Sequence, residues 1–112
     1  MKIKLIEDII SFLEIEDNWD GYGGVAPKID VVSKTLFLLA YIDKDKITDY
    51  FPNPHGTISI EFKAEGKILS LEIGNDFFAY YINSATTETI FLNNQEYSAK
   101  DIELLNKNIQ KL

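Results

Sequence analysis

Asp20, His55 and the pair Glu61 and Glu72 are the residues whose types and settings could do chemistry in this sequence. Asp20 lies in Asn18-Trp19-Asp20-Gly21-Tyr22-Gly23-Gly24, a stretch that also holds the only Trp and three of the six glycines. Acids on a glycine loop suggest calcium. With Gly21 at the sixth position of an EF-hand loop, Glu16, Asn18 and Asp20 take the first, third and fifth, but Pro27 stands at the twelfth, where a bidentate Glu is needed. A phosphate cradle fares no better, because neither glycine-rich fingerprint is complete and a Lys-Ser/Thr pair is missing. A structural reading needs less: the glycines permit positive φ, Asp20 bonds nearby amides, and Trp19 and Tyr22 anchor the loop on the core. Trp19, Asp20, Gly21, Tyr22 and Gly23 are then loop anchors. Trp19 is expected to be buried, with Trp19→Ala costing ~3–5 kcal/mol as for large core aromatics.

His55 is the only His and sits between Pro54 and Gly56. A catalytic base needs a nucleophile and an orienting acid, and the sequence places neither beside it. Turn placement with an exposed imidazole is the simpler reading, while Asp20, Tyr22 and His55 form the candidate ligand set near the glycine loop. Glu61 and Glu72 fall on the polar side of adjacent strands as diagonal neighbours. Paired carboxylates can divide acid and base roles in glycoside hydrolysis, although solvated strand faces carry Glu routinely.

The elements that must position these groups follow from periodicity. Leu5, Ile6, Ile9, Ile10, Phe12 and Leu13 recur at helical spacing between Lys2 and Glu16 and predict a first amphipathic helix. Pro27 suits a first helical position, and Ile29, Val32, Leu36, Leu39 and Ala40 continue on one stripe, with Val31 and Phe37 beside it, to about Ile42. Asp43-Lys44-Asp45-Lys46 reads as a solvated turn. Ile47 to Phe51 can only be an edge strand or an extended lead-in, since Pro52 and Pro54 lack ladder donors.

From Thr57 the period becomes two. If Glu65-Gly66 is a two-residue loop, Phe62 faces Leu69, Ile60 faces Leu71 and Ile58 faces Ile73. If Asn75-Asp76 is the next loop, Phe78, Tyr80 and Ile82 join that apolar face, and Phe77, Ala79 and Tyr81 join Ile68 on the other. Thr87 to Leu92 reads as a fourth strand, broken by Asn93-Asn94-Gln95. Ser98 with Asp101 resembles a capping box and opens a C-terminal helix along Ile102, Leu104, Leu105 and Ile109.

Ile68, Phe77 and Tyr81, with Phe91, form the candidate partner-binding set. If every helix packs on the other side of the sheet, these residues make an exposed aromatic patch, and if one helix covers them they are a second small core. The sequence leaves both arrangements open.

Composition bounds the rest. A chain of 112 residues is expected to be one domain, 1–112, with 46% hydrophobic residues and 14 aromatics for its core. Its formal net charge is -7, and every basic residue is Lys. An acidic chain without Arg is a poor nucleic-acid binder, and a basic protein suits it better as partner. The absence of Cys excludes disulfides, thiolate nucleophiles and Cys-ligated metals. No metal or cofactor is expected. Met1-Lys2-Ile3-Lys4-Leu5-Ile6 begins like a signal peptide, but Glu7 and Asp8 interrupt it, so no membrane association and a cytoplasmic location are expected.

Asn18-Trp19-Asp20-Gly21-Tyr22-Gly23, followed by Pro27 and a helix, and then Pro52-Asn53-Pro54-His55-Gly56-Thr57-Ile58-Ser59-Ile60-Glu61-Phe62, resemble a group of small uncharacterised bacterial and phage proteins. Those carry a Trp-Asp-Gly-Tyr loop, a later Pro-rich turn with Gly, and an alternating strand ending in Glu and an aromatic. The resemblance spans roughly residues 17 to 82, with Phe62 where Trp is expected. It implies a shared fold and a bacterial or mobile-element setting, with a role beside toxin–antitoxin or defence systems as an expectation from that setting. It carries no catalytic residue across.

The expected fold is α+β: two N-terminal helices and one C-terminal helix packed on an antiparallel meander of three or four strands. The leading functional expectation is a non-enzymatic, acidic protein-interaction module, antitoxin- or immunity-like. The alternatives are a small ligand-binding domain or enzyme with a site near the glycine loop, and a structural homodimer formed through an edge strand or the aromatic patch.

Overall fold

Alternation in the middle of the chain builds the sheet on which everything else rests. The computed structural model describes residues 3–112, so Met1 and Lys2, the first residues of the signal-like start, and with Lys2 the first of the expected helix, lie outside the described residues. The order is α1 (Ile3–Ser11), α2 (Ile29–Leu39), β1 (Asp49–Pro52), β2 (Ile58–Ala64), β3 (Lys67–Ile73), β4 (Phe78–Ser84), β5 (Ile90–Gln95) and α3 (Ala99–Gln110). Short 3₁₀ turns follow α1 at Phe12–Glu14 and precede β1 at Lys44–Lys46. The class is α+β, and the sheet has five antiparallel strands in the order β1-β2-β3-β4-β5 rather than three or four.

The two central hairpins have the expected register. Ala64 faces Lys67 across Glu65-Gly66, and Phe62, Ile60 and Ile58 face Leu69, Leu71 and Ile73. Gly66 has φ 75°, which this tight turn requires and glycine adopts without cost. At the next turn the Gly74 amide donates to the Phe77 carbonyl at 3.1 Å, and Ile73 faces Phe78. Ile58, Ile60, Phe62, Leu69, Leu71 and Ile73 are all fully buried on one face. Burial of each such side chain stabilises by about 1.5–3 kcal/mol, so this face is the main source of cohesion.

All three helices close on that same face. Leu5 and Ile9 of α1, Val32 and Leu38 of α2, and Leu105 and Ile109 of α3 join the strand residues in one continuous core. The Tyr50 hydroxyl donates to Asp8 Oδ2 at 2.6 Å, fixing α1 to the edge strand. Ser98 caps α3 by accepting the Asp101 amide at 3.3 Å, as the sequence signature implies.

The limits of α2 and β5 and the buried stripe of α2 differ from the sequence reading. Helix α2 starts at Ile29 with Lys28 as its extended N-cap, so Pro27 precedes the helix instead of opening it. Its buried stripe is rotated to Val31, Val32, Thr35, Leu38 and Leu39, while Ile29 is 66% exposed. Thr35 can sit in the core because its hydroxyl donates to the Val31 carbonyl at 2.9 Å, which removes the cost of an unpaired polar group. Rotation leaves Phe37 and Tyr41 outside. The last strand runs from Ile90 to Gln95, so Asn93-Asn94-Gln95 continues β5 instead of breaking it. A register shift opposite Phe78 and Tyr80, with Asn94 at φ 51°, absorbs the irregularity as a bulge.

Candidate functional site

The glycine loop is held by its own side chains. Asp20 Oδ1 accepts the amides of Tyr22 at 2.9 Å and Gly24 at 2.8 Å, and Asn18 Oδ1 accepts the Gly23 amide at 2.7 Å. The backbone hydrogen bonds from Tyr22 and Gly24 hold the Asp20 carboxyl below its ordinary pKa, against a smaller opposing effect of burial. Gly21 and Gly23 take φ of 78° and 81°, the left-handed region where a side chain is strained. Asp20 therefore holds the loop through backbone amides, and Gly21 and Gly23 supply its left-handed positions. Trp19 and Tyr22 are not seated in the core: Trp19 is 38% exposed, with its indole N–H donating to the Val25 carbonyl at 3.3 Å, and Tyr22 is 93% exposed. A loop this rich in internal hydrogen bonds needs no aromatic plug, which is why the reading of both rings as core anchors fails.

Past Gly24 the chain clasps the turn before β2. The Val25 amide donates to the Pro54 carbonyl at 2.6 Å, and Val25 and His55 form a parallel bridge. The glycine loop and the Pro-rich turn thus meet in space. His55 gains an acid here: its Nε2 contacts Glu72 Oε2, reached from β3 across the sheet. Thr57 donates its hydroxyl to the same carboxylate oxygen at 2.6 Å and lies 3.0 Å from His55 Nε2. Asn53 Nδ2 donates to Thr57 Oγ1 at 3.0 Å and to Ser59 Oγ at 2.7 Å. Partial burial works to raise the Glu72 pKa, but the hydrogen bonds from Thr57 and His55 and the charge of His55 together outweigh it, and the net shift is downward. An ionised Glu72 accepts from both neighbours and is the wrong state for a general acid, so in a carboxylate pair with Glu61 it could serve only as base or nucleophile. Glu61 is engaged separately by Lys63 at 3.6 Å.

A crevice of about 310 Å³ opens beside His55, walled by Val25, Lys28 and Asp30 on one side and Thr57 and Asn75 on the other. Asp20 and Tyr22 do not line it. The ligand set Asp20, Tyr22 and His55 is consequently not assembled: His55 borders the crevice, Asp20 caps backbone amides, and Tyr22 points away into solvent.

The partner-binding set fares differently. Among the described residues every helix packs on the core face and none lies over the other face of the sheet, which resolves the two arrangements left open by the sequence. Register aligns Glu61, Ser70, Tyr81 and Phe91 in one row across four strands, with Ser59, Glu72 and Ala79 in the next. Tyr81 and Phe91 are 36% and 65% exposed, and their rings lie 6.1 Å apart at 48°. Ser59, Ser70 and Ala79 are the small residues of a shallow groove of about 150 Å³ bordered by those rings and Glu72. Ile68 is half-buried in the neighbouring row, opposite Lys63 and Asn83. Phe77, 49% exposed, lies just outside β4 beside the turn, at the end of this face.

Thr57, Asn53 and Tyr97 escaped the sequence reading. A Thr two residues after the only His, at the start of an alternating strand, was the available signal for Thr57. Tyr97 gave none. Its hydroxyl donates to the Gly74 carbonyl at 2.5 Å and the Phe77 carbonyl at 3.3 Å, and burial, followed by the nearby Asp76, pushes its pKa well up. Among the described residues no cluster of three or more His, Asp or Glu could hold a metal ion, and no helix is long and apolar enough to cross a membrane. Compared with known proteins, the chain matches no family model, no curated protein and no solved structure.

Proposed function

We propose that this chain is a non-enzymatic, acidic interaction module that docks a basic protein on the helix-free face of its sheet. One observation carries the reading: three helices crowd one face while Tyr81 and Phe91 stand uncovered on the other. Exposed aromatic pairs next to small residues are the kind of surface that supplies binding hot spots. The groove beside them has an aromatic wall, a floor of small side chains and the Glu72 carboxylate, a set suited to one lysine or arginine side chain of the partner. A net charge of -7 adds long-range attraction to a basic surface. In a bacterial or phage setting, as the resemblance implies, masking a basic protein is what an antitoxin or immunity protein does.

Affinity capture from the source cells at low and moderate salt tests this when wild type is compared with Phe91→Asp and Tyr81→Ser. A partner retained by wild type and lost by both variants, whose thermal stability stays unchanged, is the expected result. A partner retained equally by the variants contradicts the reading.

A second reading rests on the crevice at His55. The His55–Glu72–Thr57 cluster beside a hollow of about 310 Å³ could hold a small polar ligand. Chemical-shift changes confined to Gly56, Thr57 and Asn75 on screening small polar compounds would favour it.

A further inference from the structure

The outward rotation of α2 leaves an aromatic hollow that neither the core nor the sheet face uses. Phe37, near the end of α2, and Tyr41, just beyond it, are 42% and 56% exposed and pack edge to face at 5.2 Å. Nothing in the core requires them there. With Tyr97 they wall a hollow of about 350 Å³ between α2 and α3. Its remaining lining is Ala99 and Ile102, which are apolar, and Glu103 and Asn106. A second hollow, of about 530 Å³, adjoins it through Phe37 and Tyr97 and contains Asp30 and Lys34. There the Lys34 ammonium sits 5.1 Å from the centroid of the Tyr97 ring. The chain itself thus supplies one instance of a cation held on this ring.

We propose that the hollow between α2 and α3 is a binding site for a small organic cation of the quaternary ammonium class. Aromatic rings attract a cation through their negative quadrupole, three of them line this hollow, and Glu103 offers a compensating charge, engaged among the described residues by Lys107 at 3.6 Å on an exposed surface. A primary ammonium carries three N–H donors that must be paired or kept hydrated, and the Asn106 amide oxygen of this lining already accepts the Asp43 amide at 3.1 Å. Methyl groups on the nitrogen remove that demand and pack against Ala99 and Ile102. The volume is at the small end of ligand pockets, fitting a compact cation better than a folded partner. The site lies on the helical side of the sheet and does not depend on the docking face described above.

Titration of the full chain with choline chloride at constant ionic strength, followed by NMR, tests the proposal. Saturable shifts are expected at Phe37, Tyr41, Tyr97 and Ala99. The neutral isostere 3,3-dimethylbutan-1-ol should bind several-fold more weakly, the size of a cation–π contact at a part-exposed site. Tyr41→Leu keeps apolar bulk at an exposed position and should weaken choline several-fold while leaving the isostere unchanged. Lys34→Met, which removes the competing ammonium from the Tyr97 ring, should leave choline binding intact or tighten it. Absence of saturable shifts, equal binding of the isostere, or insensitivity to Tyr41→Leu overturns the proposal. A trimethyllysine peptide binding at least tenfold more tightly than choline would reassign the site to a protein ligand and overturn it as a small-molecule site.

Discussion

Val25 donates its amide to the Pro54 carbonyl at 2.6 Å and bridges His55 in parallel, so the glycine loop is fastened to the edge of the sheet by backbone. The Ala26 amide adds a hydrogen bond to Asp17 Oδ1 at 3.0 Å, closing the base of the loop. Backbone and Asx hydrogen bonds set its shape, and the aromatic side chains ride on the outside. This ordering of causes determines how the loop responds to mutation.

Trp19→Ala should cost only about 1 kcal/mol, the scale of one net hydrogen bond and a partly exposed contact, well below a core aromatic. Phe62→Ala, at a fully buried position between β1 and β3, should cost ~3–5 kcal/mol. Urea unfolding of both variants checks the contrast.

Gly24→Ala should be more damaging than Gly23→Ala, although Gly23 has the positive φ. A Cβ at Gly24 would lie 2.7 Å from Asp20 Oδ1, displacing the carboxylate that holds two amides, whereas a Cβ at Gly23 meets open space and costs only the strain of the left-handed region, roughly 1 kcal/mol. The pH dependence gives a second readout. Since the folded pKa of Asp20 is depressed, its stabilisation is present above the unfolded value near ~4 and is lost as pH falls through the folded pKa. Glu72 adds to the same acid-side loss. Chemical denaturation at neutral pH and at about pH 3 should therefore show a smaller acid penalty for Gly24→Ala than for wild type.

Tyr97→Phe should cost about 1 kcal/mol at neutral pH by removing the hydroxyl that fastens the start of α3 to the turn between β3 and β4. The raised folded pKa of Tyr97 means that its stabilisation is complete below the unfolded value of about 10 and is lost as pH rises above it. Thermal melts across the alkaline range should decline less steeply in Tyr97→Phe than in wild type. Tyr50 and Tyr80, also shifted upward, retain part of the decline.

The hairpin β2–β3 was legible in full because strict alternation and a two-residue Glu65-Gly66 turn leave one register that buries all six apolar residues. The stripe of α2 was misread because Thr35 counts as polar until its hydroxyl finds the Val31 carbonyl, an intrahelical bond invisible to periodicity. β5 was misplaced because Asn pairs signal a turn, yet a bulge lets the strand carry them. The Glu72–His55 contact spans 17 residues and depends on which rung of the ladder faces the Pro-rich turn, so residue types alone did not show it. Likewise, whether Tyr81 and Phe91 are covered depends on where three helices dock, a tertiary choice with no local signal.

Hydroxyl-radical footprinting of the chain, alone and bound to a captured basic partner, tests the central claim most directly. The account predicts ready oxidation of Tyr81 and Phe91 in the free chain and several-fold protection of both in the complex, with Tyr22 unchanged. Protection of the two rings already in the free chain, or their full reactivity in the complex, would contradict it.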